Sequence, residues 1–272
     1  MKIITLIENN VNSKSELICE FGLSLYIEDD DFKLIFDTGQ SGIFTENIKK
    51  LKINPLEVHN IVLSHNHYDH VGGLKTYINN FGNNFTLHVH KDFFNLKYSL
   101  TSLVSRILSP KYLENFVKNK NIPINFINVH IHKLSKNISL FTNFSTKNLE
   151  NKSSYFKKLN NTFIKDSFED EIVLGLDTKK GFILVCGCSH IGIENIIKDI
   201  QCWTGKKVNG VIGGLHLSKV SDDDLNRVVN FFKENNINYF AISHCSGDKI
   251  ITKLKAIDAE IISNNTGDII LI

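Results

Sequence analysis

The order of hydrophobic runs predicts an α/β (α+β) fold in which two β-sheets pack face to face with helices outside, a four-layered αββα sandwich. Three observations point there. Each half of the chain runs β-rich first and then alternates strand with helix, an internal echo. Residues able to do chemistry recur beside glycine where a predicted strand runs out, the place where open α/β sheets put their sites. No proline- or glycine-rich linker divides the 272 residues, 42% of them hydrophobic, so residues 1–272 are expected to form one domain with a sizeable core.

Taken in order, residues 2–7 read as a strand that meets an acid at Glu8. Residues 23–27 and 32–36 flank Asp29-Asp30-Asp31 as a hairpin, and its second strand ends in Asp37-Thr38-Gly39. Ile43, Phe44, Ile48 and Leu51 recur at helical spacing before Pro55. A short buried strand follows at 61–63. Val71, Leu74, Tyr77 and Ile78 then predict a helix over 71–80, and 86–90 another strand. Apolar residues over 93–125 are dense enough for helices, and 145–165, rich in Asn, Lys and Ser, reads as a mobile loop. The region of about 93–165 is therefore expected to be an inserted helical and loop cover, either plain packing or a lid whose aromatic and basic residues meet substrate. Within it, 126–132 and 138–144 read as strands. His130 and His132 alternate with Val129 and Ile131, which suits the polar face of a strand better than a metal pair.

In the second half, 172–177 and 182–186 flank Thr178-Lys179-Lys180-Gly181 as a hairpin. Ile193, Ile196, Ile197 and Ile200 mark a helix, 208–212 a strand, and 222–235 a helix with Ser221 as its cap. A strand over 237–242 follows, and 260–262 with 268–271 read as a last strand pair.

A formal net charge of +2 gives no electrostatic case for nucleic acid. No apolar run reaches the length that spans a bilayer, and the first residues lack a signal-peptide core, so no membrane partner is expected. Five cysteines are an odd number without the density of a disulfide scaffold, which suits a reducing cytoplasm.

The chemistry concentrates in Ser64-His65-Asn66-His67-Tyr68-Asp69-His70-Val71-Gly72-Gly73, at a strand-to-helix junction. Three imidazoles and a carboxylate within six residues are a metal-binding set. His65 and His67 can point the same way from an extended loop, while Asp69 and His70 begin a helix and face a second point, so the spacing suits two metals. His190, His216 and His244 each end a later predicted strand beside glycine. The pairs Gly72-Gly73 and Gly213-Gly214 would leave backbone N–H groups open to a phosphate, or serve close packing.

The stretch from His65 to His70 resembles the HxHxDH signature of the metallo-β-lactamase superfamily. Gly187-Cys188-Ser189-His190, Gly213-Gly214-Leu215-His216-Leu217 and His244-Cys245-Ser246-Gly247, with the acidic pair Asp170-Glu171, resemble the subgroup named for 7,8-dihydropterin-6-methyl-4-(β-D-ribofuranosyl)-aminobenzene-5'-phosphate synthase. The likeness covers nearly the whole chain and is weakest over 93–165. It implies two divalent metal ions, zinc first, with manganese or iron as alternatives. His65, His67 and His190 would hold one, and Asp69, His70 and His244 the other. His216 would touch substrate or act as a late ligand. Asp37 would support the first metal-binding histidines from behind by accepting an imidazole N–H. The resemblance places a bridging aspartate where this chain has Gly187-Cys188, so Cys188 as a thiolate, or a water, would take that role. It implies a hydrolase acting on a small anionic phosphate or ester through a metal-activated water, with Asp69 orienting the nucleophile. A diphosphate-releasing transferase is the alternative, and a metal-binding module without turnover or a di-iron redox protein a third. A monomer or homodimer is expected.

Overall fold

The computed structural model describes residues 1–12, 15–100, 105–146, 154–159 and 162–272. Strand β1 (Lys2–Ile7) is followed by β2 (Ser24–Asp29), which turns back onto β3 (Phe32–Phe36) through the acidic hairpin. Asp30 there takes φ 51°, a left-handed turn that aspartate tolerates. Helix α1 (Phe44–Lys50) returns the chain to β4 (Asn60–Val62), parallel to β3. Next come α2 (Tyr68–Val71), α3 (Leu74–Phe81) and β5 (Thr86–His90). The helix expected over 71–80 is thus two pieces broken at Gly72-Gly73, where backbones touch: a Cβ on Gly73 would stand 2.0 Å from the Thr38 carbonyl oxygen.

Beyond β5 lie β6 (Lys97–Leu100), β7 (Ser105–Ile107), α4 (Leu113–Asn119) and β8 (Ile124–Ile127). The second half begins with β9 (Ile131–Lys133), β10 (Ile138–Phe141), β11 (Tyr155–Leu159) and β12 (Thr162–Lys165). It continues with β13 (Val173–Thr178), β14 (Gly181–Cys186), α5 (Ile193–Thr204), β15 (Val208–Gly213) and α6 (Asp222–Glu234). Ser221 caps α6 by accepting the Asp224 N–H at 3.1 Å. Strand β16 (Tyr239–Ile242), helix α7 (Asp248–Lys255), β17 (Glu260–Ile261) and β18 (Ile269–Leu271) complete the chain.

Two seven-stranded sheets result, in the orders β18-β1-β2-β3-β4-β5-β8 and β17-β16-β15-β14-β13-β10-β9. Each has antiparallel pairs on one side and parallel pairs on the other, with β3/β4 matching β14/β15 as the switch. The internal echo of the sequence is this repeated sheet. Leu25, Leu34, Phe36 and Val62 of the first sheet pack on Leu174, Leu176, Ile183 and Ile212 of the second in one fully buried core. Two further apolar layers hold the helices outside, with Phe44 and Tyr77 over the first sheet and Ile196, Ile200 and Phe232 over the second. The molecule is an αββα sandwich, as the pattern predicts.

The cover departs from expectation. Among the described residues of 93–125 only α4 is helical. Strands β12-β11-β6-β7 form a small antiparallel sheet instead. Tyr98 pairs with Ile107 nearby and with Phe156 far along the chain, where a local pattern cannot register the partner. Residues 155–159 and 162–165, expected to be loop, are its hairpin; 147–153 and 160–161 lie outside the described residues.

The strand predicted over 126–132 is divided. β8 closes the first sheet and β9 the second, and the chain crosses between them with its apolar alternation uninterrupted. There His130 lies against Trp203 with ring centroids 4.3 Å apart and His132 meets Asn125, so neither joins the histidines of the 65–70 loop. The last two strands are not a pair: β17 joins β16 and β18 joins β1. Asn264 pins the crossing by bonding Thr5 of β1 and the Ala241 carbonyl of β16.

Candidate metal centre

Every element of the site hangs from the carboxyl end of a parallel strand or its switch partner. β3 ends in Asp37, β4 in 64–70, β14 in 187–190, β15 in 214–216 and β16 in 243–246. Their side chains converge. The ligand atoms of His65, His67 and His190 lie within 4.8 Å of one another, as do those of Asp69, His70 and His244. These are the two triads that the sequence reading paired. Cys188 sits between them, within the same reach of His65 and His70 on one side and of His190 and His216 on another. Its Sγ is 3.1 Å from His70 Nε2. Cys186, two residues earlier, does not share this face. It is packed in the outer core of the second sheet, because the strand ends there and the chain turns through Ser189 at φ 59°.

The loop after β4 is held from beneath. Asp37 is fully buried and accepts the Ser64 N–H and Oγ–H and the His70 Nδ1–H, each at 2.7 Å. Ser64 Oγ lies 2.9 Å from His65 Nδ1. Asp37 therefore orients His70 directly and reaches His65 only through Ser64, whereas the first pair of histidines was the expected contact. On the other side Glu171, also fully buried, accepts the N–H groups of His190 and Ile191 at 2.9 Å each. Burial pushes its carboxyl up to about 7 against those two donors. Glu8, at the end of β1, accepts the His244 N–H at 2.6 Å, and Asn9 Oδ1 lies 3.1 Å from His244 Nδ1.

Lys97 ties the cover to the centre. Its Nζ is buried between Asp166 Oδ2 at 2.6 Å and Asp170 Oδ1 at 2.7 Å, and Asp170 in turn accepts the Asn66 N–H. Burial would lower the ammonium, but the two carboxylates outweigh it and raise it. The same ammonium lies 4.6 Å from the Phe168 ring, which stacks on His190 at 4.2 Å and 5°.

The donors fit a divalent cation. Nε2 of His67 and of His190 and Nδ1 of His216 are buried with no hydrogen-bond partner among the described residues. Burial, then neighbouring cationic groups, holds the imidazoles of His65, His67 and His190 well below their usual range, in the neutral form that binds metal. His70 goes the other way, up to about 9, because Asp37 and Asp69 outweigh its burial. Asp69 is held low by His70 and His244 in spite of burial. Asp69 thus presents a carboxylate where the second cation is expected, beside His70, which would release its proton on binding it. Imidazole nitrogen, carboxylate oxygen and thiol sulfur together suit zinc, iron or cobalt.

Three of the four glycines have their N–H groups already engaged. Gly72, Gly73 and Gly214 donate their N–H groups to Tyr68, Gly39 and Cys186 carbonyls. A Cβ on Gly213 would stand 2.1 Å from Cys186 O, and one on Gly72 1.9 Å from Gln40 O. They let strand-end backbones touch. A cavity of about 640 Å³ opens instead on His190 and His216, with Phe168, Lys165, Lys198 and Arg227 among its walls. Sequence reasoning passed over Lys97 and Cys245 as site residues and took Glu8 only as an interruption of a strand. Glu8, like Asp37, is an acid directly after a buried strand, which was the available signal. Cys245 stands next to a candidate ligand, as Cys188 stands two before one.

Residues 17–173 match the family described as the Metallo-beta-lactamase superfamily. The uncharacterized protein MJ0448 of Methanocaldococcus jannaschii is 32% identical over 257 residues, 93% of each chain. The 7,8-dihydropterin-6-methyl-4-(beta-D-ribofuranosyl)-aminobenzene-5'-phosphate synthase of that organism is 29% identical over 273 residues, 92% of this chain and 88% of its own. The solved structure of Tm1679, described as a metal-dependent hydrolase of the beta-lactamase superfamily, aligns with a TM-score of 0.87 at 28% identity, covering 100% of this chain and 99% of that one. By fold and by sequence alike, the chain belongs to the metallo-beta-lactamase superfamily.

Proposed function

We propose that the protein is a binuclear metal-dependent hydrolase of a small, phosphate-containing or ester substrate. One observation carries the reading: buried imidazole nitrogens without partners converge beside a carboxylate and a thiol at the wall of a cavity. His65, His67 and His190 would hold one cation and Asp69, His70 and His244 the second, with Cys188 between. Bound there, two cations supply hydroxide from water at neutral pH and Lewis-acid polarisation of the substrate oxygen. Zinc is the first choice.

The chain's own groups set up the reaction. Asp37 fixes the His70 tautomer, so Nε2 faces the centre. Asp69, lying 3.3 Å from His244 Nε2, orients the attacking water. His216 lines the cavity with Nδ1 unpartnered and is placed to pass a proton to the leaving group. Lys165, Lys198 and Arg227 share the cavity wall with Asp166, Glu194 and Asp224, so the wall carries charge of both signs. The five free thiols support a cytoplasmic setting.

The 29% identity to the synthase over most of the chain supports a second reading, transfer with release of diphosphate. Elemental analysis of protein purified without chelator, followed by a screen of phosphate esters, diphosphates and lactones, tests both. About two equivalents of metal and turnover to water are expected. Turnover that needs an added aromatic nucleophile would favour the transferase, and no metal after reconstitution would overturn both.

A further inference from the structure

Cys188 and Cys245 come from loops at the ends of different strands, β14 and β16, yet their Sγ atoms lie 3.5 Å apart. That is too long for a disulfide, so both are thiols. Cys245 Sγ also accepts the His216 N–H at 3.2 Å, and it shares a 4.8 Å donor group with Cys188 and His244. We propose that Cys245 is itself a metal ligand and that, with Cys188, it gives the centre a two-sulfur side next to His244. The inference rests on the metal-centre reading of the proposed function.

Two features separate these thiols from packing cysteines. Cys186 shows what a packing cysteine looks like in this protein: fully buried among isoleucine, valine and phenylalanine side chains. Cys188 and Cys245 instead face His70, His216, His244 and one another. The backbone also makes room for the second sulfur. Gly214 lies beside it, and a Cβ there would stand 2.8 Å from Cys245 Sγ. On loading, each thiol would give its proton to solvent and bind as thiolate. Two sulfurs shift the preference toward zinc, iron and cobalt and away from manganese, magnesium and calcium.

Replacement by cobalt(II) tests this without an activity assay. The native protein should show the near-ultraviolet sulfur-to-cobalt charge-transfer absorption, and Cys245→Ser and Cys188→Ser should each lose a large part of it at cobalt contents near native. A Cys245→Ser spectrum identical to native at equal cobalt content would overturn the inference while leaving the metal centre standing. A native protein that takes up no cobalt would overturn the metal-centre reading and the inference with it. Should the variants fail to fold, alkylation of the native chain with iodoacetamide decides. Zinc should slow modification of Cys245 at least tenfold and leave Cys19 and Cys202 unchanged; equal rates at Cys245 with and without zinc would overturn it.

Discussion

The two halves of the molecule repeat one sheet but build their shares of the centre differently. The first half delivers four donors from a single loop of six residues, braced chiefly by the buried carboxylate of Asp37, with Asp170 holding the Asn66 N–H. The second half delivers His190, His216 and His244 from three separate strand ends, each fixed by a different partner: Glu171, Cys245 and Glu8. A contiguous loop can share an anchor because its residues share a backbone. Dispersed ligands need an anchor each, and one of these, Glu8, comes from the far end of the chain.

Several variants would break or sharpen that contrast. The largest effect is expected from His67→Ala, which removes a donor from the contiguous loop. Turnover should fall about a thousandfold or more and bound metal should drop, with the circular dichroism spectrum retained. Full activity in that variant would sink the metal-hydrolase reading. Lys97→Met comes next. It leaves Asp166 and Asp170 buried without their cation, so unfolding in urea should report a loss of about 3–5 kcal/mol. A change below about 1 kcal/mol would mean that the cover contributes little to the centre's stability.

The two anchors allow a direct comparison. Asp37→Asn should lower metal affinity by about 10- to 100-fold, because it unsettles His70 and, through Ser64, His65. Glu171→Gln keeps one acceptor for two N–H groups and touches a single ligand loop, so its effect should be at the low end, about tenfold. Equal losses, measured by competition with a chelating dye, would remove the distinction between shared and separate anchors.

The smallest effect lies away from the centre. His88, beside Asn60 and Asn125, is lowered to about 4, by burial first and then by His132. The unfolded chain takes up this proton at higher pH than the folded one, so its contribution is complete above about pH 6.5 and is lost as pH falls. Between about pH 7.5 and 5.5 the loss should be about 1 kcal/mol, and His88→Gln should flatten that part of the stability profile. An unchanged slope would assign the pH dependence to the histidines of the centre.

The same contrast explains what could be read from the chain. The HxHxDH loop and the alternating sheets are local patterns, and so are legible. The partition of β8 from β9 is not, because alternation runs unbroken through the crossing. One partner of β6, β11, lies more than fifty positions away, beyond any periodic signal. The glycine pairs were ambiguous between ligand contact and close approach, and only the neighbouring carbonyls decide for the latter. Lys97 reads as one more surface lysine until Asp166 and Asp170 are placed around it.

The bond from Glu8 to the His244 N–H joins residues 236 positions apart. During synthesis the loop at 65–70 leaves the ribosome first, as an open histidine cluster able to take up metal. The loop carrying His244 follows on the order of ten seconds or more later. Metal captured early would keep those ligands and gain His190 and then His244 later, so the proposed coordination would be complete only after the nascent chain has almost ended.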